Sequence, residues 1–472
     1  MTQTLSKTDL ANGATRRLAE YAASLQFEQL PPELVELTKR CILDTLGVTA
    51  GASSLAEEGR LTYEYVKELG GKPEASILGF GGKAPAAWAT FVNGSLGHML
   101  DYDDVGGGHV SIPTVLPAFA IAEKLGGVSG KELITAIAVG TDIMVRLDRA
   151  IPLHDWTMTE GWFATQLFGF VAGAAVAGRL LHLDADQMEN ALGIGFNQMS
   201  GSRQMAVGEA THMRSMQAGF CGQGAITAAL LAQKGITGPK AFLEGRYGLF
   251  RTYVRAEDPD WNELVGELGT RFRLLETHGF KVWPSCGYTR PTNAAVIEML
   301  SEGLKKEDVE SVVIAGGTGG TQLLSEPAEL KRRPQLSIDA KYSIPFTTAI
   351  ALAKGTVALR HYTDEALHDP EVLAMADRIS YRAIPEDQKT SKAPIVEVTT
   401  RDGRVISKQM ETVPGDAKSP VGWPEIEAKF RDTISFSRHP LSSDDVDRAI
   451  ALVRRLEGSV DATKVIRLLA GT

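Results

Sequence analysis

The sequence predicts a mostly α protein, a large all-helical domain with an inserted smaller α+β unit. Three observations carry that reading. Helical periodicity dominates from Leu10 to about Leu275. After about Glu276 short β-branched runs and turn signals take over. Beyond residue 413 amphipathic helical spacing returns, so the last helices are expected to pack back onto the first part. The expected division is therefore residues 1–275, 276–413 and 414–472. A chain of 472 residues exceeds what one hydrophobic core usually supports, which fits this division.

The elements follow in order. Pro31-Pro32 opens a helix over Glu33 to Ala50, and further helices are expected over Ala84–Leu100, Thr114–Leu125 and Lys131–Asp148. Thr165–Leu181 has almost no charge before Arg179 and should be buried all round. Its small residues, Gly169 to Gly178, suit close helix packing or a homodimer interface. Asp186–Met199 and Met216–Lys234 complete this series. In the second unit Val309–Ala315 reads as a strand, and Val396–Thr400 with Val405–Thr412 flank the turn Arg401-Asp402-Gly403 as a hairpin. Ile344–Ala358 and Pro370–Ala376 are helical between them. Pro424–Thr433, Ser443–Leu456 and Ala462–Leu469 form the returning helices.

Composition excludes several classes. The net charge is −9, and the densest basic run, Lys331-Arg332-Arg333, is short, so nucleic acid is not an expected partner. No window reaches the roughly 18 apolar residues of a membrane span. The polar start, Met1 to Leu10, lacks the pattern of a secretory signal, and a cytoplasmic location (or an organellar one in a eukaryote) is expected. Cys41, Cys221 and Cys286 are odd in number and far apart, which fits neither a disulfide framework nor a thiolate zinc site. The histidines at 98, 109, 154, 182 and 212 lack compact ligand spacing. No metal and no cofactor are expected.

Four segments can carry chemistry. His98-Met99-Leu100-Asp101-Tyr102-Asp103-Asp104-Val105-Gly106-Gly107-Gly108-His109 crowds carboxylates and imidazoles into a loop freed by three glycines. Neighbouring acids repel one another unless a cation or a polar site balances them; the same residues would also serve as a solvated helix cap. Thr211 to Gly219, with His212, Arg214 and Gln217, stands before an apolar helix and suits anion binding, or simply caps that helix. Phe280 to Pro291 offers Lys281, Cys286, Tyr288 and Arg290 at the boundary between the two textures, where small ligands usually bind; a structural linker would read the same way. Asp339 to Phe346, with Lys341, is the weakest of the four and reads as a helix entry.

Leu43-Asp44-Thr45-Leu46-Gly47, Asn93-Gly94-Ser95 through His109, Lys281 to Pro291 and Ala340 to Pro345, in that order, resemble the MmgE/PrpD family. That family includes 2-methylcitrate dehydratase, cis-aconitate decarboxylase and iminodisuccinate epimerase. The resemblance implies a helical domain built from both chain ends, an inserted lid domain, a homodimer, an interdomain cleft and no required cofactor. The family's Asp-x-Asp-Asp pattern matches Asp101, Asp103 and Asp104, its following histidine matches His109, and its lysine before the Trp-Pro turn matches Lys281. Val105 stands where dehydratase and decarboxylase members carry Thr, Val110 replaces the Pro of His-Pro-Ser, and Phe163 falls near another family histidine. The Thr-Lys-x-Leu-His motif falls, without gaps, on Met213 to Gln217, placing Arg214 at its lysine; a shifted alignment would match Thr211-His212 instead. Arginine does not deprotonate near neutral pH, so Arg214 reads as a carboxylate clamp rather than a base.

The resulting expectation is a cofactor-independent lyase acting on a small di- or tricarboxylate by moving a proton α to a carboxylate. His109, Lys281 and Asp101 form the catalytic set, and Arg214, Gln217, Asp104, Cys286, Tyr288 and Lys341 hold substrate. A hydro-lyase of altered substrate is the first form of this reading. Epimerisation or decarboxylation through the same enolate-like intermediate is the alternative, and a non-catalytic metabolite-binding protein is the competing class.

Overall fold

The computed structural model describes residues 6–153, 156–206, 211–385, 388, 391 and 393–472. Helix dominates the described chain, and the expected long helices are present with shifted ends. The predicted Glu33–Ala50 segment runs as Pro32–Leu55, with Pro32 in its first turn. The Ile344–Lys354 helix stops earlier than periodicity suggests because Gly355 adopts φ 73°, a left-handed cap that glycine accommodates best. Among the longer helices, periodicity overlooked Ala14–Ser24, Glu57–Leu69 and Arg290–Ser301. Among the described residues, no helix is long and apolar enough to cross a membrane.

Two hydrophobic cores form. The larger draws on residues from Leu10 to Phe280 and from Ile426 to Ala470, so the C-terminal helices do share a core with the first part of the chain. The smaller runs from Trp283 to Val413. It surrounds a four-stranded sheet in the order Ile379–Ala383, Val309–Gly316, Ile395–Thr400, Val405–Gln409. The first pair is parallel and the others antiparallel, and the Arg401-Asp402-Gly403 hairpin joins the last two strands.

The Ala164–Leu180 helix lies at the centre of the helical part. It packs against Ile112–Leu125, Gly130–Arg149, Ala185–Asn197 and Met213–Gln233. A Cβ at Gly169 would lie 2.5 Å from the Cys221 sulfur, so the small residues serve close packing inside one chain. This corrects part of the sequence reading. The Gly169–Gly178 stretch is covered by its own chain and cannot be the surface of a homodimer.

Two features position the site. The Ala86–Met99 and Met213–Gln233 helices touch backbone to backbone at Gly94 and Gly219, where a Cβ would come within 2.8 Å of the Ala218 carbonyl and 2.5 Å of the Phe91 carbonyl. This approach sets Arg214 beside His98. In addition, Asp104–Val105 pairs antiparallel with Gly279–Phe280, zipping the acidic loop onto the segment that leads to Lys281. Gly106 follows with φ 102° and runs so close to that segment that a Cβ would sit 2.0 Å from the Thr277 carbonyl oxygen.

Candidate active site

The zipper delivers Lys281 into the acidic loop. Its backbone N–H donates to the Asp103 carbonyl at 3.2 Å. Its fully buried ammonium donates to Oδ1 of Asp101 and, at 3.1 Å, to Oδ1 of Asp103 and to the Asp101 carbonyl. Asp101 has φ 47°, a conformation costly for a residue with a Cβ and held here by these contacts. Burial works to raise the Asp101 carboxyl, but Lys281, with His98 and Arg214 nearby, overcomes it and holds the group at about 2. Asp103 is likewise held well below the usual carboxylate range, with burial again opposed by His109 and Lys281. Burial disfavours the Lys281 charge, yet the two carboxylates outweigh it and its pKa rises.

Asp103 is the hub. One oxygen meets Lys281; the other lies 2.9 Å from His109 Nδ1 and 3.2 Å from His98 Nδ1. The two rings approach with centroids 4.4 Å apart. Their tautomers follow from the partners. Arg214 can only donate, and its NH1 contacts His98 Nε2 at 3.1 Å, so that nitrogen accepts and His98 is neutral with its proton on Nδ1. Burial agrees, pushing the His98 pKa down to about 4. His109 Nδ1 faces two acceptors, Asp103 and the Asp104 carbonyl at 2.9 Å, so it carries a proton.

Above this floor lies a cavity of about 630 Å³. His109, Arg214, Cys286 and Tyr288, four of the residues expected at the site, line it. The Arg214 guanidinium is sandwiched between the rings of Phe163 and Tyr342, each centroid 4.3 Å away. No carboxylate among the described residues pairs with it at salt-bridge distance. A buried guanidinium so placed is a ready receptor for a ligand carboxylate.

The other expected residues sit elsewhere. Asp101 and Lys281 do not line the cavity, and Lys281 connects to the lining residue His109 through Asp103. Asp104 is buried away from the cavity, and its Oδ2 accepts from the Ser111 amide at 2.8 Å, from the Ser111 hydroxyl and from His278. It anchors the loop rather than a substrate. Gln217 is fully buried and donates to the Arg214 carbonyl at 3.1 Å, bracing the clamp's helix turn. The Lys341 ammonium donates to the Met99 carbonyl at 3.2 Å, and burial lowers its pKa to about 8. None of these three is among the lining residues.

Sequence reasoning passed over Asp103 and His98 as site residues, and Lys331, which lines the cavity, read only as part of a basic run. One signal was present. Neighbouring acids repel unless a cation balances them, and here Asp101 and Asp103 converge on Lys281 while Asp104 turns to Ser111 and His278.

His98, Asp101, Asp103 and His109 also present ligand atoms within 4.8 Å of one another, a grouping that linear spacing concealed. Metal binding fits poorly there. The Lys281 ammonium already occupies the charge between the two carboxylates, and Arg214 takes the His98 lone pair. His154 lies outside the described residues.

Fold and site together define a two-core helical protein with an acid–base cavity floored by buried, paired charges. Residues 16–262 match the MmgE/PrpD N-terminal domain and residues 283–457 the MmgE/PrpD C-terminal domain, and the chain belongs to that family. A cis-aconitate decarboxylase of Aspergillus terreus is 25% identical over 99% of this chain and 98% of the relative. The Homo sapiens cis-aconitate decarboxylase is 24% identical over 97% of this chain and 94% of its own length. A mitochondrial 2-methylcitrate dehydratase of Yarrowia lipolytica is 24% identical over 50% of this chain and 47% of its own length.

Proposed function

We propose that this protein is a lyase acting on a small di- or tricarboxylate, with His109 moving a proton at the carbon α to a carboxylate. The observation that carries the reading is the Asp103–His109 pair at one cavity with Arg214, which pairs with no carboxylate among the described residues. Arg214 binds the carboxylate and the negative charge that develops as the carbon loses its proton. His109 Nε2 accepts that proton, and Asp103 stabilises the imidazolium through Nδ1. Lys281 keeps Asp103 ionised for this task. No step requires a cofactor.

Elimination of water is the first form of this activity; the proton taken from carbon then leaves through His109 to the departing hydroxyl. Loss of carbon dioxide is a second reading, favoured by one observation. Lys281, the second expected acid–base group, does not line the cavity, and decarboxylation needs only one proton delivered to carbon. The names of the full-length relatives agree with it. A homodimer stays part of the proposal on the family likeness alone, and light scattering tests it; a cytoplasmic location stays part of it on the polar start of the sequence.

The deciding experiment incubates the protein in deuterium oxide with succinate, citrate, cis-aconitate and methyl-substituted citrates, followed by proton NMR. Exchange of an α-proton by the wild type and its loss in His109→Gln support the proposal. Binding without exchange across the panel would leave a metabolite-binding protein instead. New alkene signals identify dehydration, and released carbon dioxide identifies decarboxylation.

A further inference from the structure

The proposed chemistry leaves much of the cavity lining unexplained. That remainder mixes polar side chains, Arg203, Lys331 and Asp339 among them, with an apolar set. Ile151, Leu153 and Trp156 come from the segment between the Gly130–Arg149 and Ala164–Leu180 helices, and Leu323 with Leu324 comes from the α+β unit. Leu153 remains 40% exposed at the edge, which is apolar surface left for a ligand to cover. The cavity volume of about 630 Å³ falls in the range of about 300–1,000 Å³ that accommodates drug-sized ligands.

Of the acids in the lining, the one bonded to Trp156 of this apolar set argues in the same direction. Asp148 lines the cavity beside Ile151 and accepts from the Trp156 indole at 3.0 Å. A second or third carboxylate placed here would meet a like charge in apolar surroundings, which costs free energy twice over. A neutral carbon substituent meets neither penalty and covers the leucines.

We propose that the natural substrate is a carboxylic acid bearing an apolar substituent, an alkyl chain of several carbons or a ring. That substituent lies against Ile151, Leu153, Trp156, Leu323 and Leu324 while the carboxylate meets Arg214. The inference rests on the reading of this cavity as a site that processes carboxylates.

The test is a series of 2-substituted succinates carrying hydrogen, methyl, propyl, butyl, hexyl or benzyl, with citrate as the polar comparison. Calorimetry gives Kd, and deuterium incorporation from solvent gives turnover at carbon. The expected result is a Kd that falls about threefold per methylene up to butyl or beyond, the scale of burying one CH₂ group. In Leu323→Asp that dependence on chain length should flatten or reverse. Succinate and citrate that exchange deuterium but bind as tightly as the hexyl and benzyl compounds, or more tightly, would overturn this inference and leave the proposed function intact. Absence of both binding and exchange across the whole series would overturn both.

Discussion

The floor and the far wall of the cavity are built on opposite principles. The floor consists of charges removed from water and paired in sequence: Asp101 and Asp103 on Lys281, His98 and His109 on Asp103, and Arg214 on His98. Each group there is held by a partner, so the arrangement tolerates little change. The wall proposed for the substrate's substituent consists of apolar side chains contributed by two separate stretches of chain. Its residues can vary without disturbing a proton. The difference separates two questions that one cavity usually mixes: what reaction occurs, and on which acid.

That comparison can be broken most directly at His109. His109→Gln should lower turnover by about 10²–10⁴-fold, the scale of general acid–base catalysis, with little change in Tm; steady-state kinetics with thermal melting checks both. Lys281→Met strikes the floor from beneath. It leaves two buried carboxylates without their cation, so a loss of about 3–5 kcal/mol in stability is expected, together with reduced turnover. Denaturant titration measures the first. If Lys281→Met were as stable and active as wild type, the floor would not be a charge network at all. Arg214→Ala should raise Kd for a simple dicarboxylate about 10–100-fold, the range for hydrogen bonds to charged groups, and affect kcat less unless the clamp tightens in the transition state.

The smallest expected effect concerns the loop anchor. Burial opposes a charge on His278, but the Cys41 sulfur at 3.4 Å and Asp104 at 3.2 Å outweigh it and lift the pKa to about 10. The folded value exceeds the unfolded one, so this stabilisation is complete below about pH 6.5 and fades as pH rises through 10. The wild-type Tm should decline over that window, and His278→Asn should flatten the decline. The two buried imidazoles therefore divide, since at His98 burial outweighs the pull of Asp103 and holds the pKa down at about 4.

Much of this was legible in the residues. Periodicity of 3.6 and of 2 separated the helical part from the sheet, because most helices and strands have one buried face. It overlooked Glu57–Leu69, whose surface carries mostly charge, and Arg290–Ser301, which begins inside the proline- and glycine-bearing segment. The site was visible as segments but not as pairs. The short strand at Gly279–Phe280 brings Lys281 to the acids, and a two-residue strand carries no periodic signal. Gly169–Gly178 shows the reverse failure: a small-residue stripe reads alike whether the neighbouring helix belongs to the same chain or to another.

Arg214 as receptor of the substrate carboxylate and His109 as the group that takes its α-proton form one unit in the proposed function. Calorimetric titration of a simple dicarboxylate into the wild type, Arg214→Ala and His109→Gln, beside exchange of its α-proton in deuterium oxide, separates the two roles. The expected result is binding weakened about 10–100-fold in Arg214→Ala and retained in His109→Gln, with exchange slowed about 10²-fold or more in His109→Gln. Exchange at the wild-type rate in His109→Gln would contradict it.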